Sequence, residues 1–268
     1  MLETIIGNVI NIGNLNLEEP KPRNNLFDVE QVVTDDKWQQ MLAELHDPLN
    51  ISLAFIELGR AMKILYPDRN LGTTPNEWQK TKDYIGSHRL GLGETARVLS
   101  ATKMTFDDAD IQEDIKELTG LLWEDAPGLN LLLSTSDLVQ YLELAPDLAI
   151  LFPNKLELRE GISAAFKNID QALPERYRNT YTKVYYMAKA RLISSQYKPE
   201  FSVRDWKKMQ DELFRQKNID EFCYMAACLK ILAAEEAKIT ESGIEITMPQ
   251  NKSDLIQVIL ALPELRKF

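Results

Sequence analysis

Beyond residue 34, the apolar residues of this chain recur at the spacing of an α-helix, and proline or glycine separates one apolar run from the next. The segment 34–46 opens with a Thr-Asp cap and places four apolar side chains on one face, namely Trp38, Met41, Leu42 and Leu45. The segment 50–66 is apolar almost all round, and we expect it to be buried. This pattern predicts a mainly α fold, either a helical bundle or an irregular helical array.

The helical pattern continues along the rest of the chain. A helix is predicted over 74–86, ending at Gly86. Two helical hairpins are predicted farther on, the first hinged at Pro174 and the second closed by a helix over 218–238. That last helix carries a dense apolar face, so we expect it to be central in the core.

Two short segments near the termini alternate apolar and polar residues and are predicted as β-strands, at 10–17 and 243–249. Two prolines and two asparagines make 18–25 an extended linker. A lone strand leaves its backbone groups unpaired. We therefore expect 10–17 to pair with 243–249, within one chain or between two copies, beside a closing helix at 253–266.

The prolines at 146 and 153 interrupt the helical pattern and indicate a domain boundary. The predicted organisation is an N-terminal arm and linker over 1–25, an acidic helical subdomain over 26–152, and a neutral-to-basic helical subdomain over 153–268.

Composition indicates an ordinary soluble globular protein, with 44% hydrophobic and 27% charged residues among 268. No apolar run approaches the ~20 residues of a membrane helix, so we expect no membrane partner. Cys223 and Cys228 lie five apart in a helical pattern, a separation that does not favour a disulfide. Unpaired cysteines without an export signal predict the cytoplasm, or a host cytoplasm for a viral protein.

Charge is distributed unevenly behind a net value of −10. Residues 1–150 hold 12 basic and 25 acidic residues, whereas 155–217 holds 14 basic and 8 acidic ones. This bipolar layout suits an acidic region of one copy meeting a basic region of another copy or of a partner. Drift of surface charge gives the same layout without a function.

The segment "GLGETA", 91–96, has the G-x-G-x-x-A spacing of a dinucleotide-binding turn. Such a turn must follow a β-strand and open a helix, so that the helix N-terminus faces the pyrophosphate. The preceding element here is the predicted helix over 74–86. We therefore expect a solvent-facing corner between two helices and no dinucleotide cofactor.

The acidic segment 105–118 raises a weak alternative, a Mg²⁺-dependent all-α enzyme, because Asp110, Asp114 and Glu117 share a helical face. A second acidic motif on a facing helix is missing from the sequence. A helix capped by Thr105, with its acids in solvent, accounts for the same residues. We expect no metal site.

Nucleophilic catalysis has little support in the sequence. The two histidines, His46 and His88, lie at a helix end and in a turn, and both cysteines lie on the apolar side of a helix predicted to be in the core. Buried structural cysteines are inert. We therefore predict that the protein is not an enzyme.

The segment 175–198 interleaves five tyrosines with six cations, a composition that can stack bases and hold phosphates. Helical spacing assigns a tyrosine-containing stripe to the core and gathers cations on another face. The candidate contacts to nucleic acid or another polyanion are Arg176, Lys183, Arg191, Lys198, Arg204, Lys207 and Lys208. A solvated helix edge is the alternative reading.

These observations predict a non-catalytic protein-interaction or assembly subunit of a larger cytosolic complex, with self-association or a protein partner and no cofactor. The main alternative is a subunit of a nucleoprotein complex that contacts RNA or DNA through the basic face at 176–208.

Overall fold

A computed structural model describes residues 27–47, 52–156 and 158–247, and within these ranges the chain is mainly helical, as predicted. The helices of these ranges are α1 (Val29–Val32), α2 (Asp35–Leu45), α3 (Ser52–Leu65), α4 (Pro75–His88), α5 (Leu92–Thr105), α6 (Ala109–Glu124), α7 (Ala126–Leu133), α8 (Leu138–Leu151), α9 (Glu160–Phe166), α10 (Ile169–Ala172), α11 (Thr180–Ile193), α12 (Val203–Arg215) and α13 (Ile219–Ala233). A 3₁₀ turn, Glu175–Tyr177, precedes α11, and the strands β1 (Glu236–Thr240) and β2 (Gly243–Thr247) follow α13.

Side-chain caps fix the starts of several helices. Thr34 accepts a hydrogen bond from the backbone N–H of Lys37 at 3.4 Å, directly before α2. Asp137 accepts from the N–H of Val139 at 2.8 Å at the start of α8. Such caps satisfy backbone donors that have no partner inside the helix, so they locate helix starts in the sequence.

Two predicted helix boundaries are wrong. Helix α4 continues through Gly86 to His88, and Arg89 ends it in the left-handed conformation with φ 46°. Thr105 is the last residue of α5, and it is Asp108 that caps α6, accepting from the N–H of Asp110 at 3.0 Å. In both cases a competing residue close by supplies the end or the cap.

Pro146 does not break the chain, because α8 runs through it to Leu151. Proline removes one helical hydrogen bond. Most of α8 is buried against α5 and α11, and this packing holds the helix together despite the missing bond. The predicted helix before Pro174 is also different, since it consists of two short helices, α9 and α10.

The prediction of a strand is confirmed for β2, whereas β1, its partner among the described residues, was not predicted. The predicted helix over 218–238 ends at Ala233, and β1 pairs antiparallel with β2 through a two-residue loop, with Glu236 opposite Thr247 and Thr240 opposite Gly243. Gly243 has φ 128°, which favours glycine. The predicted strand 10–17, the linker 18–25 and the helix 253–266 lie outside the described residues.

The largest buried apolar cluster extends from Phe27 to Ala237 and includes the aromatic residues Tyr141, Trp206 and Phe222. It draws on both sides of the predicted boundary at 152–153, which stays a prediction. A smaller cluster joins α5, α6, α7 and α8. Within the described ranges, no helix combines the length and the apolar character that crossing a membrane requires.

Helices α3 and α5 approach closely at Gly59. A Cβ atom at this position would overlap the side chain of Thr105, whose hydroxyl donates to the carbonyl of Ile56 at 3.2 Å. The missing side chain therefore lets two helix backbones come together. This approach brings the polar residues of α3 within reach of those on α5.

Candidate ligand-binding cavity

A cavity of about 650 Å³ lies between α3, α8, α11 and α13, and α4, α5 and β2 each add one residue to its wall. Those single residues are Tyr84, Arg97 and Ile244. The volume lies in the range of small-molecule sites in proteins.

Each of the long helices presents one face to the cavity. The lining residues of α3 lie at positions 53, 54, 57, 60, 61 and 64, and those of α13 lie at 224, 227, 228 and 231. These spacings of three and four are those of residues that share a helical face. Aliphatic side chains make up much of the wall, including Leu53, Ile64, Ile150, Leu192, Ile231 and Ile244.

A network of charged side chains forms the polar part of the wall. Glu57 bonds two arginines, with Oε2 at 2.6 Å from Arg60 Nη2 and Oε1 at 2.7 Å from Arg97 Nε. Arg60 Nη1 donates to Asp147 Oδ1 at 2.5 Å, and the same oxygen accepts from the Ser100 hydroxyl at 2.6 Å. The network connects α3, α5 and α8.

Burial and pairing compete at Glu57. Burial raises the pKa of its carboxyl, but the positive charges of Arg60 and Arg97 outweigh burial and hold the pKa below its usual value. For Arg60, burial lowers the pKa of the guanidinium, and the charges of Glu57 and Asp147 more than reverse this effect. The network is therefore ionised and internally neutralised.

A second group of polar side chains lies around Glu143. Its carboxylate accepts from Lys189 Nζ at 3.0 Å and from the Tyr186 hydroxyl at 2.8 Å. The ammonium of Lys189 also lies 4.5 Å from the centroid of the Tyr185 ring. Burial raises the pKa of Glu143, and the charge and hydrogen bond of Lys189 reverse this and lower it.

Tyrosines and one cysteine complete the wall. Burial, reinforced by nearby negative charge, raises the pKa of Tyr181, Tyr185 and Tyr224. Burial also raises the pKa of the Cys228 thiol to about 12. At neutral pH these groups are uncharged, so they act as hydrogen-bond donors or as packing surface.

Sequence analysis missed this cavity. The segment 50–66 was predicted to be buried, and the stripe containing Tyr181 and Tyr185 was assigned to the core, whereas both tyrosines line the cavity and are partly exposed. The available signal was Glu57 and Arg60 in a helix of largely apolar residues, since buried charges require partners.

The predicted basic face is not one continuous surface. Arg191 is 4% exposed, and its guanidinium donates to the carbonyls of Tyr197 at 3.1 Å and Glu235 at 2.6 Å. It therefore joins α11 to the chain directly before β1 from inside the protein. Lys183 pairs with Asp170 at 2.5 Å. The other candidates are exposed, namely Arg176, Lys198, Arg204, Lys207 and Lys208.

The three acidic residues of the alternative metal site have separate surroundings. Asp114 Oδ2 accepts from Trp78 Nε1 at 2.8 Å and from Lys82 Nζ at 3.0 Å, and these hydrogen bonds lower its pKa. Asp110 and Glu117 are exposed. Within the described part of the chain, no group of three or more His, Cys, Asp or Glu residues is arranged to hold a metal ion.

Gly91 lies between two helices, as predicted, whereas Gly93 is already the second residue of α5. Gly91 directly precedes α5, and its N–H donates to Glu94 at 3.2 Å, so an acidic side chain occupies the helix N-terminus where a pyrophosphate would bind. His46 caps the end of α2, bonding Glu77 at 2.9 Å and the carbonyl of Leu71 at 2.8 Å.

Comparison of the chain with protein-family models, with curated proteins and with solved structures finds no match in any of the three.

Proposed function

We propose that this protein is a non-catalytic binding protein that holds an organic molecule with an apolar body in the cavity between α3, α8, α11 and α13. The observation that carries the proposal is the wall itself. It combines aliphatic side chains with a small set of polar groups fixed by hydrogen bonds, which is the usual composition of a small-molecule site.

The polar groups of the wall support binding rather than chemistry. Glu57 and Asp147 are bonded to arginines, so neither is a free general base. The raised pKa of Cys228, about 12, keeps its thiol protonated, and thiolate is the reactive form of cysteine. The raised pKa values of Tyr181, Tyr185 and Tyr224 keep their hydroxyls protonated too.

Binding is tested with the neutral fluorescent probe N-phenyl-1-naphthylamine, whose emission rises in an apolar site. The variants Ala54→Phe and Cys228→Phe each add a ring at a lining position that is not fully buried. Ala172→Phe is the matched control, because Ala172 is exposed and lies outside the cavity wall.

We expect saturable binding by the wild-type protein and the control, and at least about tenfold weaker binding by both cavity variants, since a filled cavity excludes the probe. Circular dichroism establishes that all four proteins are folded. Absence of saturable binding by the folded wild type would refute the proposal. Equal binding by all four proteins would place the probe elsewhere, with the same consequence.

A second candidate function is the assembly subunit predicted from the sequence. Its specific support is three exposed leucines on the consecutive helices α6 and α7, with exposed fractions of 57% for Leu121, 74% for Leu131 and 41% for Leu132. Exposed apolar side chains of this size are typical of association surfaces. The acidic and basic regions of the sequence suit the association of two copies.

Mass photometry with and without single-stranded RNA tests this candidate. We expect the wild type to form an oligomer that Leu131→Lys dissociates, whereas Asn130→Lys, an exposed neighbour, leaves it intact. A monomer at all concentrations would contradict self-association. A mass increase only with RNA would favour the nucleoprotein alternative, in which the exposed cations of 176–208 contact phosphates.

A further inference from the structure

Two arginines share Glu57, but they use their hydrogen-bond donors differently. Arg60 commits both terminal nitrogens, Nη1 to Asp147 and Nη2 to Glu57. Arg97 commits only Nε, and among the described residues neither of its terminal nitrogens has a partner. Its side chain is 40% exposed and lines the cavity.

The carboxylates of Glu57 and Glu143 already accept hydrogen bonds through both of their oxygens. The donors are the two arginines for Glu57, and Lys189 and the tyrosines for Glu143. Asp147 Oδ1 accepts from Arg60 and from Ser100. The wall therefore offers free donors at Arg97, which the acceptors of a ligand can satisfy.

Counted together with Glu143, the cations and carboxylates in and beside the wall balance in number, but the carboxylates are shared unevenly and leave Arg97 the least neutralised. The charged groups that line the cavity are three cations, Arg60, Arg97 and Lys189, and two carboxylates, Glu57 and Asp147. Glu143 lies behind Lys189 and neutralises it. Arg97 has the smallest share of a counter-charge, because its one carboxylate partner, Glu57, is also bonded to Arg60.

We infer that the cavity takes a monocarboxylate with an apolar body, and that its carboxylate accepts two hydrogen bonds from the terminal nitrogens of Arg97. The planar guanidinium presents two parallel donors that match the two oxygens of a carboxylate. The apolar body then lies along the aliphatic side chains of α3, α8 and α13. This inference rests on the proposed function and specifies the ligand class for the same cavity.

Competition for the bound neutral probe at pH 8 tests the inference. Dodecanoate and 1-dodecanol have the same chain length and differ in the carboxylate, and both are used below the concentration at which they aggregate. The proteins are the wild type, Arg97→Gln, Arg97→Lys and the control Arg204→Gln, which changes an exposed arginine on α12.

In the wild type and in Arg204→Gln, we expect dodecanoate to displace the probe at a concentration at least about tenfold lower than dodecanol, because hydrogen bonds to a charged group discriminate by that factor or more. Arg97→Gln should bind the two competitors within about threefold of each other. Arg97→Lys should fall between, since lysine keeps the charge and loses the paired donors.

Failure of this inference is distinguishable from failure of the proposed function. If the neutral probe does not bind the wild type, the proposed function fails and this inference fails with it. If the probe binds but dodecanol competes as well as dodecanoate, or Arg97→Gln keeps the full preference, only the carboxylate inference is refuted. If Arg97→Gln no longer binds the probe, Arg97→Lys provides the test. An unchanged preference of Arg97→Lys for dodecanoate over dodecanol would then refute the inference.

Discussion

The cavity wall and the surface of α11 and α12 both carry several cations, but their cations are held in opposite ways. In the wall, the side chain of Arg60 is 13% exposed, and its guanidinium bonds two carboxylates, that of Glu57 on α3 and that of Asp147 on α8. On α12, the cations at 204, 207 and 208 are exposed to solvent. The region with the higher density of positive charge in the sequence is therefore the less organised one.

The difference shows that charge density along a sequence does not identify where a protein organises its charge. The wall cations come from α3, α5 and α11, and each is separated from the next by tens of residues. Burial forces them to find partners, because an unpaired buried charge is costly. The exposed cations of α12 are solvated by water and need no carboxylate partner.

The largest effect is expected when the wall network loses its central cation. Arg60→Leu leaves Asp147 without its arginine, and we expect a loss of about 3–5 kcal/mol in the free energy of unfolding, as for other broken buried pairs. Urea unfolding measures it. The matched surface pair is Lys116–Glu113, in which both partners are more than 70% exposed, and Lys116→Met should cost less than about 0.5 kcal/mol. Equal losses would erase the contrast between the two regions.

The predicted basic face itself contains one buried arginine, Arg191, and one exposed arginine, Arg204, whose contributions to stability can be compared. Arg191→Met removes buried donors from the carbonyls of Tyr197 and Glu235, and we expect a loss of about 2 kcal/mol. Arg204→Met, at an exposed position, should change stability by less than about 0.5 kcal/mol. Thermal and urea unfolding of both variants check this. If Arg191→Met leaves the free energy of unfolding unchanged, the guanidinium does not join α11 to the chain before β1.

The charged network around Glu57 should also make the stability of the fold sensitive to acid. The pKa of Glu57 is lower in the folded protein than its value of about 4.3 in an unfolded chain. The ionised carboxylate therefore stabilises the fold above pH ~4.3, and this contribution is lost as the pH falls through the folded-state pKa. We expect the stability difference between the wild type and Glu57→Gln to narrow between pH 5 and pH 3. A constant difference across this window would mean that the pKa of Glu57 is not lowered.

The smallest effect is expected on the surface of α12. Exchanging Lys207 and Lys208 for glutamate should change the free energy of unfolding by less than about 0.5 kcal/mol and leave probe binding in the cavity unchanged. The same protein is informative for the nucleoprotein alternative. If the wild type binds RNA, this exchange should weaken binding and reduce its salt dependence. A large stability loss would show that these lysines have structural partners.

The features that the sequence predicts well are local ones. Thr34, the predicted cap before α2, acts within one helical turn, so a short segment contains all the required information. The strand β1 was missed because the chain from Ala233 to Lys238 has a helix-favouring composition. Pairing with β2 overrides that preference, and Gly243, separated from Thr240 by a two-residue loop, was the available hairpin signal.

The candidate site could not be predicted in the same way, because its geometry is tertiary. Glu57 and Arg97 are 40 positions apart, and Arg60 and Asp147 are 87 apart. No spacing rule connects residues at such separations. Arg97 lies four residues after Gly93, and the spacing of the glycines does not identify this arginine as a binding residue.

The most direct test of the central claim is a methyl NMR titration of the isoleucine-labelled protein with N-phenyl-1-naphthylamine, whose aromatic rings shift the signals of nearby methyl groups. The cavity wall contains Ile64, Ile150, Ile231 and Ile244, whereas Ile111, Ile115 and Ile169 are buried elsewhere in the core. We predict saturable shifts for the first set and unchanged signals for the second. Shifts confined to the second set, or no saturable shift in any isoleucine, would contradict the claim that this cavity binds a ligand.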